Sequence, residues 1–186
     1  MLLYPILQPR QFAVLSKRRR LTASWKHADS YFVPAYRWMV ATMLRRGIDT
    51  RGHPPIWAWH SFDPPHRCKP DLRSSFYLTK PGTSAVRLVI EAPDELVLLS
   101  NYEAWHAVLN NSYLSLSEAE DRRVDRARLT RRHIERSWIQ IFDLTAGDPR
   151  WLGKPGHRPI QACLPFINAA WIRESTPFTA RGAKHR

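Results

Sequence analysis

Cysteine, acidic residues and long apolar runs are all scarce in this chain. Its 186 residues hold two cysteines, Cys68 and Cys163, with no C-x-x-C and no histidine at ligand spacing. That argues against a disulfide-stapled secreted domain and against a standard zinc site. His60 and His66 lie near Cys68, but a fourth ligand is missing, and no metal is expected. A reduced, cytoplasmic protein is the expectation. The longest apolar runs, Leu2–Leu7, Leu96–Leu99 and Ile139–Phe142, are too short to span a bilayer. The opening MLLYPILQPRQF has no basic lead-in and no small-residue cleavage site, so no secretory leader is expected. Standard catalytic signatures are missing as well: no G-x-x-x-x-G-K-[ST], G-x-G-x-x-G, H-E-x-x-H or G-x-S-x-G occurs.

Sixteen acidic residues face 29 lysines and arginines, a formal net charge of +13. One reading is attraction to phosphate, on a nucleotide or a nucleic acid. The other is coding bias, since arginine supplies all but six of the basic residues. The charge is concentrated in Lys17–Arg20, Arg45-Arg46, the stretch Arg122–Arg136 and the tail Arg181–Arg186. In the third of these, Arg122, Arg123, Arg126 and Arg128 are the candidate nucleic-acid contacts. The competing reading is a solvated helix face with i, i+4 pairs to its interleaved acids.

The length and the 44% apolar content fit one domain over residues 1–178, followed by a basic tail over 179–186 expected to be disordered. Leu2–Gln8 reads as a strand, with Pro5 arguing for a sheet edge. Pro9 and Pro34 open helices, the second with a stripe of Ala35, Trp38, Met39, Thr42 and Met43. Ile56–Ser61 and Val86–Ile90 alternate as strands, and Ser74–Thr79 is a further strand candidate. Ser100 and Glu103 spell a capping box. Ser115 or Ser117 is expected to cap one long helix running to Phe142. Strands near Ile160–Pro165 and Ala170–Thr176 close the chain. This order is α+β, with small mixed or antiparallel sheets and flanking helices.

Three features could carry chemistry. In PPIWAWHS, residues 54–61, Trp57 and Trp59 share one face of a strand. They are either core or a stacking surface for a flat ring. The expectation is that Trp57 packs and Trp59 borders a cleft. In Lys69-Pro70-Asp71-Leu72-Arg73, Asp71 and Arg73 either meet a phosphate or hold the turn as a local ion pair. Gln161 lies on a late strand, exposed or as a buried amide with a partner, and Gln8 ends the first strand in a comparable way.

Several stretches then recur together: Tyr4 to Pro9, Ala35–Met39, Pro55–Trp59, Lys69–Arg73, Leu98–Ser100 with Ala104-Trp105, Ser137-Trp138 with Ile141–Asp143, and Ile160–Ala162. Together they resemble an uncharacterised bacterial and phage family, domain of unknown function 3841, over about residues 3 to 178. Tyr4 stands where members usually carry Trp, and the arginine runs are not a family trait. The resemblance brings no activity with it.

The layout also looks like that of small ADP-ribosyltransferases, which implies a matching fold and NAD as cofactor. On that resemblance Tyr4 or Gln8 is the first-strand residue, Trp57 or Trp59 the mid-chain aromatic and Gln161 the late-strand polar residue. Arg73 would meet the pyrophosphate, and Asp71 counts with Tyr4, Trp59 and Arg73 among the cofactor-binding candidates. Gln161 cannot act as a general base, which departs from the usual pattern. The expected function is therefore an NAD-using transferase acting on a protein or nucleic acid. The alternatives are a basic nucleic-acid-binding protein, and an adaptor or inhibitor that binds a host or phage protein.

Overall fold

The computed structural model describes residues 1–182, the side chains of Phe76 and Tyr77 excepted. The fold is α+β. The strands are β1 (Leu2–Leu3), β2 (Ile6–Leu7), β3 (Arg20–Leu21), β4 (Ile56–Ser61), β5 (Ser84–Glu91), β6 (Leu98–Asn101), β7 (Ile160–Leu164), β8 (Ile167–Asn168) and β9 (Ile172–Thr179). The α-helices are α1 (Pro9–Arg18), α2 (Val33–Arg45), α3 (Tyr102–Leu109), α4 (Glu118–Val124), α5 (Arg131–Ser137) and α6 (Pro149–Leu152).

Every strand pairing among the described residues is antiparallel. One sheet places β5 between β9 and the β1/β2 segment, a second runs β4-β7-β6, and β3 and β8 form a small ribbon. Tyr4 joins the first two sheets. Its N–H donates to the Trp59 carbonyl at 2.8 Å, and its carbonyl accepts from the Trp59 N–H at 3.2 Å. The first strand is therefore interior rather than at an edge, contrary to what Pro5 suggests. The proline acts differently. Its carbonyl accepts from the Leu88 N–H at 3.0 Å, but it has no N–H to return, and the strand splits into β1 and β2 at that point.

The joined sheet has a hydrophobic cluster on each face. On one side Leu3, Leu7, Ile56, Ala58, Val86, Leu88, Ile90, Ala162 and Leu164 meet Leu15 of α1. On the other, Leu98 and Cys163 meet Ala35, Met39 and Met43 of α2, Trp105 and Val108 of α3, and Trp138 and Ile141. Strand alternation produces this division: neighbours along β4 and β7 point to opposite faces.

Three segments depart from the sequence reading. The expected long helix is broken. Ser117 caps α4, a turn follows, Thr130 caps α5, and a 3-10 helix covers Trp138–Phe142. The two caps explain the break, because each offers its hydroxyl to a fresh set of unpaired N–H groups. Ser74–Thr79 is not a strand. Leu72–Tyr77 forms 3-10 turns capped by Asp71, whose carboxylate accepts from the Arg73 N–H. The cap of α3 is Asn101, not Ser100: the Asn101 side chain accepts from the Ala104 N–H at 3.1 Å, while Ser100 belongs to β6. At the other end of the chain, β9 reaches Thr179 and Ala180 is buried, so ordered structure continues past 178. Residues 183–186 of the expected tail lie outside the described residues.

Candidate functional site

On β4 the small residues face the core. Ile56 and Ala58 are buried, while Trp57 and Trp59 are half-buried on the opposite face. Both tryptophans line one cleft of about 290 Å³, with Tyr36, Tyr102, Trp105, His106 and Gln161. Ile6 and Leu78 also contribute to its walls. Trp59 borders this cleft as expected. Trp57 does so too, while packing at 4.9 Å from Trp105 and 6.0 Å from Tyr36. Trp59 is held by Tyr102 at 4.7 Å and edge-on by Phe62 at 5.0 Å. Burial pushes the Tyr36 and Tyr102 phenols above their ordinary values, so these rings are neutral walls at physiological pH.

Antiparallel register sets the floor of the cleft. Trp59 on β4 pairs with Gln161 on β7, which pairs with Ser100 on β6. These three side chains stand in a row on the same face. Gln161 is 6% exposed and Ser100 is fully buried, yet the Gln161 Nε2 and the Ser100 Oγ have no hydrogen-bond partner among the described residues. A buried donor left unpaired costs about 1–3 kcal/mol. Of these two residues only Gln161 lines the cleft, and an acceptor brought against its amide would relieve that cost. One row along, Cys163 is fully buried, and its thiol is pushed well above the usual range by desolvation.

His106 stands on the cleft wall. Its Nδ1 lies 3.1 Å from the Tyr102 carbonyl and 3.2 Å from the Glu103 carbonyl. Carbonyl oxygens only accept, so Nδ1 carries the hydrogen in neutral imidazole and Nε2 keeps its lone pair.

The other candidate residues lie elsewhere. Tyr4 sits beside Trp59 through the backbone bridge but does not line the cleft, and burial raises its phenol. Gln8 caps α1 in a capping box with Gln11 and lines a separate groove with Arg10 and Arg18. Arg73 is turned onto Asp71, with its Nη2 donating at 2.8 Å, and Arg67 reaches the same carboxylate. These bonds, those from Arg73 foremost, hold the Asp71 carboxyl far below the usual carboxylate range. Arg73 is 77% exposed and does not line the cleft; the pair holds a turn. Arg122 pairs with Glu118, and Arg123 lies 3.9 Å from Glu120. Arg126 and Arg128 are exposed in the turn between α4 and α5. A larger cavity of about 530 Å³ lies between those helices, but its Glu120 already accepts from the Tyr113 hydroxyl and the Leu116 N–H.

Tyr102, Trp105 and His106 were not singled out from sequence. The available signal was the i, i+3, i+4 stripe they form on α3 with Leu109. Arg87, also missed, lies on the cleft's side of the sheet. Its guanidinium donates to the Pro70 carbonyl, Glu174 and Thr176, anchoring the 62–82 loop.

No helix among the described residues is long and apolar enough to cross a membrane. No curated protein and no solved structure matches the chain. One family model matches residues 2–128, a stretch that contains every residue of the cleft wall except Gln161. The chain therefore belongs to the family described as a domain of unknown function (DUF3841).

Proposed function

We propose that the chain is an NAD-using transferase of the ADP-ribosyltransferase type, with the nicotinamide ring seated in the aromatic cleft. The observation that carries this reading is the Gln161 amide, buried among five aromatic side chains of the cleft, its Nε2 without a partner among the described residues. Flat rings at the sides suit a flat ring in the middle, and an amide donor suits its carboxamide or the adjoining ribose hydroxyl.

The chemistry asks little of the site in proton transfer. The bond between ribose C1′ and the pyridinium nitrogen breaks, its electron pair goes to nitrogen, and neutral nicotinamide leaves. The sugar becomes an oxocarbenium-like cation. An acceptor oxygen or nitrogen then bonds to C1′ and releases a proton, which the His106 Nε2 is free to take. Gln161 offers a dipole where a carboxylate would offer a full charge, so a slow enzyme is expected. The two unpaired cysteines fit a reducing, cytoplasmic setting.

The test is nicotinamide release from NAD, followed chromatographically. Release is expected, and Trp59→Leu should lower kcat/KM by about tenfold or more through lost stacking. Absence of both binding and release at millimolar NAD would sink the reading.

A second reading, nucleic-acid binding through the α4–α5 turn, draws on Arg126 and Arg128, which form no ion pair among the described residues. Binding measured across a salt series decides it. Neutralising Arg122, Arg123, Arg126 and Arg128 should flatten the slope if that surface makes the contact.

A further inference from the structure

The aromatic cleft does not end at Trp57. A small cavity of about 230 Å³ shares Ile6 and Trp57 with it, and Tyr36 is shared between the cleft and a larger groove. That groove, of about 690 Å³, shares Gln11, Leu21, Pro55 and Trp57 with the small cavity. Through these shared residues the three spaces adjoin at Trp57 as a bent trough, with the groove on the α1 side of the sheet and the cleft on the opposite face. Its far end is large enough for the nucleotide part of a ligand whose ring occupies the near end.

The two ends differ in charge. The cleft is walled by neutral rings, with His106 and the Gln161 amide as its polar groups near neutral pH. The groove is lined by Arg10, Arg18 and His27, and no carboxylate among the described residues lines it. Neither Arg10 nor Arg18 forms an ion pair among the described residues, which holds for Arg126 and Arg128 too, but Arg10 and Arg18 line a groove free of carboxylates. The reason lies in the helix: PRQFAVLSKR has no Asp or Glu to pair with either arginine across one turn. Two uncompensated guanidinium groups beside polar Gln8, Gln11 and Ser24 select an anion with several oxygen acceptors.

We infer that this groove is a diphosphate subsite, and that the trough takes a nucleoside-diphosphate ligand with its uncharged ring in the cleft and its phosphates against Arg10 and Arg18. The inference rests on the transferase reading for the ring end, but it concerns different residues and a different part of the ligand. It also replaces Arg73, whose guanidinium is occupied by Asp71, as the phosphate contact. A polynucleotide is the competing occupant. The trough favours the smaller ligand because its inner end closes on a buried amide rather than continuing as an open track.

Calorimetric titration of the full chain at one fixed salt concentration tests this, using ADP-ribose, inorganic pyrophosphate, nicotinamide and a short single-stranded oligonucleotide. The comparison is wild type, the double variant Arg10→Ala with Arg18→Ala, and Trp59→Leu. Both arginines are exposed, and circular dichroism checks that the double variant keeps its fold. ADP-ribose should bind wild type and lose about tenfold or more in the double variant, with pyrophosphate following the same trend. Nicotinamide should be unaffected by the arginine changes and weakened by Trp59→Leu. Equal ADP-ribose affinity in wild type and the double variant overturns the inference. So does failure of ADP-ribose to bind, including the case where the oligonucleotide binds in its place. If ADP-ribose depends on the two arginines while NAD is never cleaved, the subsite stands and the transferase reading falls. If NAD is cleaved with an unchanged KM in the double variant, the transferase reading stands and the subsite falls.

Discussion

Gln161 sits in an unfavourable place for an amide. It is buried, its Nε2 has no partner, and its strand neighbours Ala162, Cys163 and Leu164 are core residues. Replacing it by a shape-matched apolar residue removes the uncompensated donor. Gln161→Leu is therefore expected to raise stability by about 1–2 kcal/mol, read from the denaturant midpoint, while weakening ligand binding in the cleft. A loss of stability instead would mean that the amide has a structural partner. Sequence alone left this residue open between an exposed strand position and a buried amide. Alternation along β7 is visible in the string, but which face meets helices is decided by how the sheet is covered. Trp57 and Trp59 make the same point. Their shared face was legible; their standing on the wetter face, with Ile56 and Ala58 in the core, was not.

Among the elements, the junction of β6 and α3 positions most of the site. Ser100 pairs with Gln161, Asn101 turns the chain, and Tyr102, Trp105 and His106 form a wall of the cleft. Asn101 is 3% exposed and its cap bond to the Ala104 N–H is buried. Asn101→Ala should cost about 1–2 kcal/mol of unfolding free energy and loosen the cleft, seen as weaker ligand binding. The hydroxyl of Ser100 and the carboxyl of Glu103 imitate a capping box, which explains the one-residue misplacement of the helix start. The 62–82 loop, which brings Leu78 to the cleft, is tied down by Glu174. Lys69, Thr176 and Arg87 hold the Glu174 carboxyl down to about 2. A depressed carboxyl stabilises the folded loop above its ordinary range near 4.5 and loses that contribution as pH falls towards 2. Hydrogen exchange in residues 66–80 should therefore stay slow at pH 5, after correction for intrinsic rates, and accelerate selectively between about 4 and 2. Uniform acceleration over the whole chain would count against a local tether.

At the scale of the molecule, one joined sheet serves two cores. Leu88 lies in the cluster under α1 and Met39 in the cluster under α2, and both are fully buried. Leu88→Ala and Met39→Ala should each cost about 2–5 kcal/mol. Because the Tyr4–Trp59 bridge and the β4–β7 ladder connect the two faces, both changes should lower the same single calorimetric transition. Two separate transitions would show the clusters folding independently. The net charge of +13 also divides at this scale. Some arginines, such as Arg87 and Arg173, are engaged in ion pairs that hold loop and sheet together. Arg10 and Arg18 of α1 form no ion pair among the described residues and line a groove.

Alternation, proline placement and capping chemistry are local properties, and from them the string alone determined the α+β class, the starts of α1 and α2, strands β4, β5 and β7, and the shared face of Trp57 and Trp59. Only the tertiary structure decided that the first strand is interior, that α3 walls the cleft, that Asp71 occupies Arg73, and that Gln161 and Ser100 lie buried and unpaired. The Asp71–Arg73 pair is local and was one of two readings open in the string, whereas the other outcomes depend on partners far apart in the chain. Residues such as Tyr4 and Trp59, or Trp59 and Gln161, meet only when the strands pair, and no local spacing encodes that meeting.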